Sequence, residues 1–404
     1  MKGKVSLHKL GRILEDKYGG VQISSCGNLF TPLTSSYDIY NEFYSAINNA
    51  RKSINMEFYI FQADSVGVVF TDLLCKKAKE GILVNVILDF VGSYPFKGRL
   101  VLYNKMIASG VNLRFSLRFS DMLKSAWYNK GIFKRSGVRG FFKRNHRKIL
   151  VVDGGVAYAG GANIGEEYLS PFLKSNSWRD FQFKIVGPAV NALQFTFFRS
   201  WIREGGLIKK NSIHSFFRKQ PIFKKGICVK VMTNAFGNQG KLLRSLVRDI
   251  KSARKYIYIE NPYILNPIII NTLCKASRRG VKVVILTSLD RLDIGFLRIL
   301  VERVLFILHK AKVKIFIYPN TFLHGKAVLI DDRIAIVGSA NLNNRSFLWD
   351  YELNLEVFDK KVLLKMKKDI FEKDLAISSQ FGKEGIKFFS KIKYFFINFL
   401  EKFS

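Results

Sequence analysis

The order of apolar and polar positions predicts an α/β protein built twice. A helix-spaced stretch ends at Gly81 and gives way to the β-branched run Val84 to Leu88, and the same order recurs around Gly280 and Val281 to Leu286. The copies align residue by residue. ARKSINMEFYIF at 50–61 matches ARKYIYIENPYI at 253–264, pairing Glu57 with Glu260 at an offset of 203; CKKAKEGILVNVIL from Cys75 matches CKASRRGVKVVIL from Cys274 at 199; Val111 matches Val313 at 202. After Gly187, Pro188 suits a first helical turn, and Val190, Leu193, Phe197 and Trp201 fall near one face of the helix it opens. The expected organisation is a first lobe over 1–205, a linker over 206–226, a second lobe over 227–380 and a basic amphipathic tail over 381–404.

Duplication by itself carries no chemistry. A motif inside it does. HRKILVVD at 146–153 and HGKAVLID at 324–331 share the pattern His-x-Lys-x-x-x-x-Asp on apolar, strand-like runs, and two of the five histidines sit there. The register continues, because Gly160 and Asn163 follow His146 by 14 and 17 residues, as Gly338 and Asn341 follow His324. If the strands extend through the motifs, His and Lys two apart share a face, and Asp seven residues on has the opposite parity. The catalytic candidates are therefore His146, Lys148, Asp153, His324, Lys326 and Asp331, with the two aspartates expected as scaffold anchors.

One imidazole can attack phosphorus, a second can protonate a leaving alcohol, and Lys and Asn donors can hold phosphoryl oxygens. Each half supplies one imidazole. Pairing the halves about a pseudo-twofold axis would bring both to one site at the lobe interface. A metal centre fits poorly, since neither half offers a clustered set of His, Cys and carboxylate ligands and a lysine stands beside each histidine. Neither a phosphate loop nor a dinucleotide fingerprint is present, and neither metal nor cofactor is expected.

Composition narrows the partner. The 404 residues carry 66 Lys and Arg against 31 Asp and Glu, a formal charge of +35 that favours a polyanion or an anionic membrane surface. The hydrophobic content of 48% suffices for two cored domains. The N-terminal segment lacks the apolar core of a secretory signal, and Cys26, Cys75, Cys228 and Cys274 are widely spaced, so reduced thiols and a cytoplasmic setting are expected. No apolar run reaches the roughly 18–20 residues needed to span a bilayer.

These residues resemble the phospholipase D superfamily, whose mark is a duplicated HKD motif, here HRKILVVDGGVAYAGGAN and HGKAVLIDDRIAIVGSAN. Within it the nearest likeness is to bacterial cardiolipin synthases, through EFYIF near Glu57, RNHRKILVVDG at 144–154, GGANIGEEYL at 160–169, WRDFQFKIVGPAV at 178–190, ENPYIL at 260–265 and SANLNNRSFLWDYELNLEV at 339–357. The resemblance implies two similar α/β/α lobes of the phospholipase D fold and a ping-pong reaction. One histidine attacks a phosphatidyl phosphorus, the other releases the head-group alcohol, and a second alcohol resolves the phosphohistidine. Two phosphatidylglycerol molecules would give cardiolipin and glycerol. His146 is assigned as nucleophile and His324 as acid then base, although pseudo-symmetry does not rank them. Lys148, Lys326, Asn163, Asn341 and Ser339 would hold or support the phosphate. An acidic residue behind each imidazole is also implied, with Glu352 and Asp180 as candidates. Glu166 or Glu167 competes for the second place, and Asp180 has an alternative reading as a surface partner of Arg179. Many cardiolipin synthases begin with transmembrane helices; here peripheral attachment to the inner face of the cell membrane is expected.

The repeat offset drops from 202 at Val111 to 178 at His146, which requires an insertion in the first half; it is assigned to 117–145. There Lys134 and Arg135 neighbour Trp127, Phe133, Phe141 and Phe142, a mixture suited to lipid head groups and an interface. The same mixture could bind single-stranded nucleic acid or be a solvated loop. In the tail, Ile386, Phe389, Ile392, Phe396 and Phe399 recur at helical spacing, as for an interfacial helix or one that covers a groove on the protein. Alternatives to transphosphatidylation are phospholipid hydrolysis through the same intermediate, a nuclease of the superfamily, and a non-enzymatic lipid-binding protein. The sequence leaves the oligomeric state open.

Overall fold

The computed structural model of the protein describes residues 22–94, 97–116, 143–169, 177–208, 216–234, 240–289 and 298–382. The first half runs β1 (Gln22–Leu33), α1 (Ser36–Asn48), β2 (Ser53–Phe58), α2 (Ser65–Lys79), β3 (Leu83–Asp89), α3 (Lys97–Ala108), β4 (Asn112–Ser116), β5 (Ile149–Val152), β6 (Val156–Gly160), α4 (Glu166–Leu169), β7 (Gln182–Val186) and α5 (Ala189–Arg203). The second runs β8 (Ile227–Thr233), α6 (Lys241–Lys251), β9 (Tyr256–Glu260), α7 (Pro267–Arg278), β10 (Lys282–Thr287), α8 (Arg298–Lys310), β11 (Lys314–Ile317), β12 (Ala327–Ile330), β13 (Ile334–Gly338), α9 (Asn344–Leu348) and β14 (Leu353–Val357). Past β14, α10 (Lys360–Met366) continues through a π-helical turn (Lys367–Glu372) into α11 (Lys373–Ile377), and β15 (Ser379–Gln380) is the last described element.

Local chemistry accounts for the repeated unit. In α2 and α7 the side chains of Asp64 and Asn266 cap the first turn by accepting from Gly67 N and Ile269 N. Gly81 and Gly280 then turn the chain at φ +84° and +91°, the left-handed region where a side chain is disfavoured, into strands β3 and β10. Both strands are buried after their first residue, as continuous apolar runs of a parallel sheet should be.

The expectation of two α/β lobes about a pseudo-twofold axis is borne out, with one addition. Their sheets join into a single 15-stranded sheet, ordered β15-β11-β10-β9-β12-β13-β14-β8-β1-β7-β6-β5-β2-β3-β4. The order 1-7-6-5-2-3-4 is repeated outward as 8-14-13-12-9-10-11, so the axis passes between the antiparallel pair β1 and β8. Cys26 and Cys228, one in each of those strands, form a disulfide there, which corrects the expectation of four reduced thiols; Cys75 and Cys274 are free and buried. Cys26 and Cys228 meet because β1 and β8 pair antiparallel across the axis and bring the two positions opposite each other.

Two further expectations are adjusted. Helix α5 buries the expected Val190, Leu193, Phe197 and Trp201, and more than that one face, since eleven of its residues are buried, including Gln194, Thr196 and Ser200. It packs on β1, β2, β5, β6, β7 and β8, elements of both halves, so little of it is left for solvent. Its Thr196 hydroxyl is satisfied by donating back to the Ala192 carbonyl. The motif histidines and lysines also do not lie on the strands, since β5 and β12 begin only at Ile149 and Ala327. They occupy the extended segments just before them.

The motif aspartates stand just past the other end of these strands from the histidines, in turns that the parity argument does not reach. Asp153 and Gly154 turn the β5–β6 hairpin at φ +53° and +56°, and Asp331 and Asp332 turn β12–β13 at +54° and +50°. Asp153 accepts the backbone N–H groups of Arg51, Lys52 and Ser53 at 2.7–2.9 Å, and Asp331 accepts those of Arg254, Lys255 and Tyr256 at 2.7–2.8 Å. Each thus ties its hairpin to the start of the neighbouring strand, and both are corrected from catalytic candidates to scaffold. Alanine at either position removes three charge-assisted bonds and strains a left-handed turn, so each variant should lose about 3 kcal/mol in denaturant unfolding. The turnover of the protein that remains folded should stay within about tenfold of wild type; a stable but inactive Asp153→Ala protein would contradict the scaffold role.

Candidate active site

Each histidine is held by the opposite half of the chain. His146 Nδ1 lies 3.0 and 3.1 Å from the carboxylate oxygens of Glu352, and its backbone N–H donates to Tyr351 O at 3.0 Å. His324 Nδ1 is bonded to Asp180 Oδ2, and its backbone N–H donates to Arg179 O at 2.8 Å. The sheet register makes these pairs equivalent, because Gly160 faces Gln182 as Gly338 faces Asn354, which superposes Asp180 on Glu352. The six-residue difference in interval from each histidine to its following acid is therefore a loop difference. Glu166 does not compete for the imidazole, since its carboxylate accepts from Ser65 N at 3.1 Å. Asp180 is not a surface partner of Arg179 either: it is buried, and the Arg179 side chain pairs with Asp374 at 2.7 Å.

The carboxylates differ in length, and their neighbours compensate. Ser339 donates its hydroxyl to Glu352 and accepts from Leu353 N at 3.0 Å, so it supports the carboxylate. At the equivalent place Gly161 leaves room for the shorter Asp180, whose Oδ1 an added Cβ would overlap. Phe181 N fixes the same oxygen at 2.7 Å.

Burial sets the protonation states. It pushes His146 down to about 4 despite Glu352, and His324 down to about 3, with Lys326 lowering it further against the pull of Asp180. Burial alone would raise Glu352 and Asp180, but the imidazoles and nearby lysines outweigh it and hold both below the usual carboxylate range. Neutral imidazoles facing ionised carboxylates donate from Nδ1, which leaves the Nε2 lone pair available.

The lysines join the two motifs electrically. Lys148 and Lys326 each donate to the carbonyl of their own histidine, Lys148 at 2.8 Å. Lys148 feels Lys326, Glu352 and Asp180, and each imidazole feels both ammonium groups. Burial, aided by Lys326, lowers Lys148 to about 7. Asn163 accepts from Ile60 N at 3.1 Å, and among the described residues its buried Nδ2 has no partner, a donor suited to an anion. Asn341 also carries an unbonded buried atom, Oδ1, while its N–H is fixed by Ser346 Oγ at 3.1 Å. An anion site whose charge rests partly on Lys148 should weaken as pH rises through about 7, because that ammonium is charged below its pKa and neutral above it. Sulfate keeps its charge over this range, so its inhibition constant should rise about tenfold between pH 6 and pH 8; a flat profile would remove Lys148 from the anion site.

Aromatic rings that motif reading did not single out wall the imidazoles. Tyr59 meets the His146 ring edge-on at 5.0 Å and lies 5.3 Å from Lys148 Nζ; Tyr168, Trp178 and Phe322 surround His324 at 5.3–5.6 Å. Their positions come from pairing across the fold, not from spacing. The basic tract with Trp127, Phe133, Lys134, Arg135, Phe141 and Phe142, and the tail with Phe396 and Phe399, lie outside the described residues.

Comparison with known proteins agrees with this geometry. The family described as "Cardiolipin synthase, PLD-like domain" matches residues 43–177 and 246–375, one segment around each motif. A cardiolipin synthase of Staphylococcus aureus is 32% identical over 362 residues, 87% of this chain and 68% of that protein. Cardiolipin synthase 1 of Bacillus cereus is 31% identical over 367 residues, 88% and 69% of the two chains. The crystal structure of a phosphatidylserine synthase from Haemophilus influenzae superposes with a TM-score of 0.66 at 15% identity, covering 97% of this chain and 96% of that one, which supports the fold. The chain thus belongs to the cardiolipin synthase family of phospholipase D-like enzymes and is a phosphatidyltransferase of that type.

Proposed function

We propose that the enzyme moves a phosphatidyl group from one phosphatidylglycerol to another, giving cardiolipin and glycerol. The observation that carries this reading is the crossed pairing of His146 with Glu352 and His324 with Asp180. It provides two oriented imidazoles, each with its Nε2 unbonded among the described residues, beside two lysines. In the first step Nε2 of His146 bonds to phosphorus and the bond from phosphorus to the glycerol oxygen breaks. His324 gives that oxygen a proton. A bound phosphodiester anion raises the proton affinity of the buried His324, so the acid form is populated when it is needed. In the second step the neutral His324 takes the proton of an incoming hydroxyl, whose oxygen bonds to phosphorus as the P–N bond breaks. Lys148, Lys326 and Asn163 would stabilise the charge that grows on the non-bridging oxygens.

On this reading the enzyme works at the inner face of the cell membrane, and among the described residues no helix is long and apolar enough to cross a bilayer. Phosphatidylglycerol vesicles labelled in the head group test it directly. The expected products are cardiolipin and free glycerol in equal amounts. Phosphatidic acid alone would replace transfer by hydrolysis, and cleavage of DNA with inert vesicles would remove both.

A further inference from the structure

The two motifs differ at their middle residue, Arg147 in HRK and Gly325 in HGK. Arg147 is buried and reaches in four directions. Its Nε donates to Glu352 O at 3.3 Å, Nη1 to Ser200 Oγ at 3.0 Å and Nη2 to Asn234 O at 2.8 Å, and Nη1 lies 4.0 Å from the buried Glu57. Its guanidinium also lies 5.5 Å from the Tyr351 ring. At Gly325 there is no such side chain, and a Cβ there would crowd the Phe181 ring and lie 2.8 Å from Glu260 Oε1.

The second half nevertheless has its guanidinium. Arg179, equivalent by sheet register to Tyr351, donates from Nη1 to Thr34 O, pairs with Asp374 and interacts with the buried Glu260. Thr34 and Asn234 are the first residues after β1 and β8, and Glu57 and Glu260 are repeat-equivalent. Arg147 and Arg179 therefore fill the same place about the twofold axis from two different sequence positions. In the first half the motif contributes the arginine and the facing segment an aromatic ring. In the second half the facing segment contributes the arginine and the motif a glycine.

Each arginine bears on the strap that holds a histidine: Arg147 donates to the Glu352 carbonyl of one, and Arg179 is itself part of the other. Tyr351 O and Arg179 O accept the N–H of His146 and His324, and the next residue in each strap carries the paired carboxylate. A guanidinium wedged between the strap and the opposite half fixes the carboxylate, and through it the imidazole. We infer that Arg147 and Arg179 are interchangeable positioning residues, one for each histidine, and that the enzyme needs a guanidinium at each place but not at a given sequence position.

Moving the arginine across its strap tests this. Arg147→Gly should lower kcat about a hundredfold with little change in KM, because the imidazole is misplaced by a fraction of an ångström while the lipid contacts remain. The double variant Arg147→Gly with Tyr351→Arg conserves charge and copies the second half's arrangement. It should recover kcat to within about tenfold of wild type. A double variant no more active than the single one overturns the inference, as does a single variant with near wild-type kcat. Should Arg147→Gly fail to fold, a folded and active double variant is the same rescue, and an unfolded one counts against the proposal. The imidazole titration of His146, followed by nitrogen-15 NMR, should move in the single variant and return in the double. That readout needs no substrate, so a wild type inert on phosphatidylglycerol would sink the proposed reaction and leave this inference to be judged by itself.

Discussion

Alanine at His146 or at His324 should lower turnover by about four orders of magnitude, and the two losses should differ in kind. On the proposed assignment His146→Ala leaves no nucleophile, and an activated leaving group should not help. Without His324 the nucleophile survives but the departing alkoxide lacks a proton donor. A phosphatidyl ester of p-nitrophenol, whose leaving group needs no proton, should then give one equivalent of nitrophenolate with His324→Ala, followed by a stall, because the acceptor hydroxyl has lost its base. Such a burst from His146→Ala in place of His324→Ala would reverse the assignment. A burst from neither variant would argue against a covalent intermediate.

The second large effect should come from a residue with no reactive group. Gly161→Ala introduces a methyl that overlaps Asp180 Oδ1, and the contact is stiff because Phe181 N and the imidazole of His324 hold that carboxylate on its other sides. The carboxylate must turn away, leaving His324 without the partner that sets its tautomer. We expect a loss of about three orders of magnitude in kcat, close to that of Asp180→Ala, with unfolding little changed. Ser339→Ala removes one hydroxyl donor from Glu352 at the equivalent place and should cost only about tenfold. Equal effects from the two variants would mean that the short and long carboxylates are not held by different means.

Much of this was legible in the chain. The repeat predicted two α/β lobes, and the motif spacing singled out His146, Lys148, His324 and Lys326 without reference to structure. The anchoring expected of the aspartates agrees with their hydrogen bonds, but the parity that suggested it does not apply, because Asp153 and Asp331 lie beyond the strands on which the alternation holds. The crossing of the carboxylates was not legible. Spacing along one half suggests that a histidine and the acid after it belong together, whereas the twofold axis hands each acid to the other copy. Helix α5 is buried beyond its apolar stripe because it packs on five strands of its own half as well as on β8 of the second, which spacing along the helix does not reveal. The exchange of Arg147 for Arg179 was hidden because the two occupy different columns of the repeat alignment and converge only in space.

The seam at the axis bears on descent. In a symmetric pair of identical half-length chains, the strand now represented by both β1 and β8 would have paired with its own twin there. The exchanged acids add that neither member of such a pair could have oriented its imidazole alone. A fusion of two such genes would have joined subunits that already depended on each other and left each copy free to drift. A serine and a glycine, a long acid and a short one, and an arginine in the motif of one site and in the strap of the other are the marks of that drift.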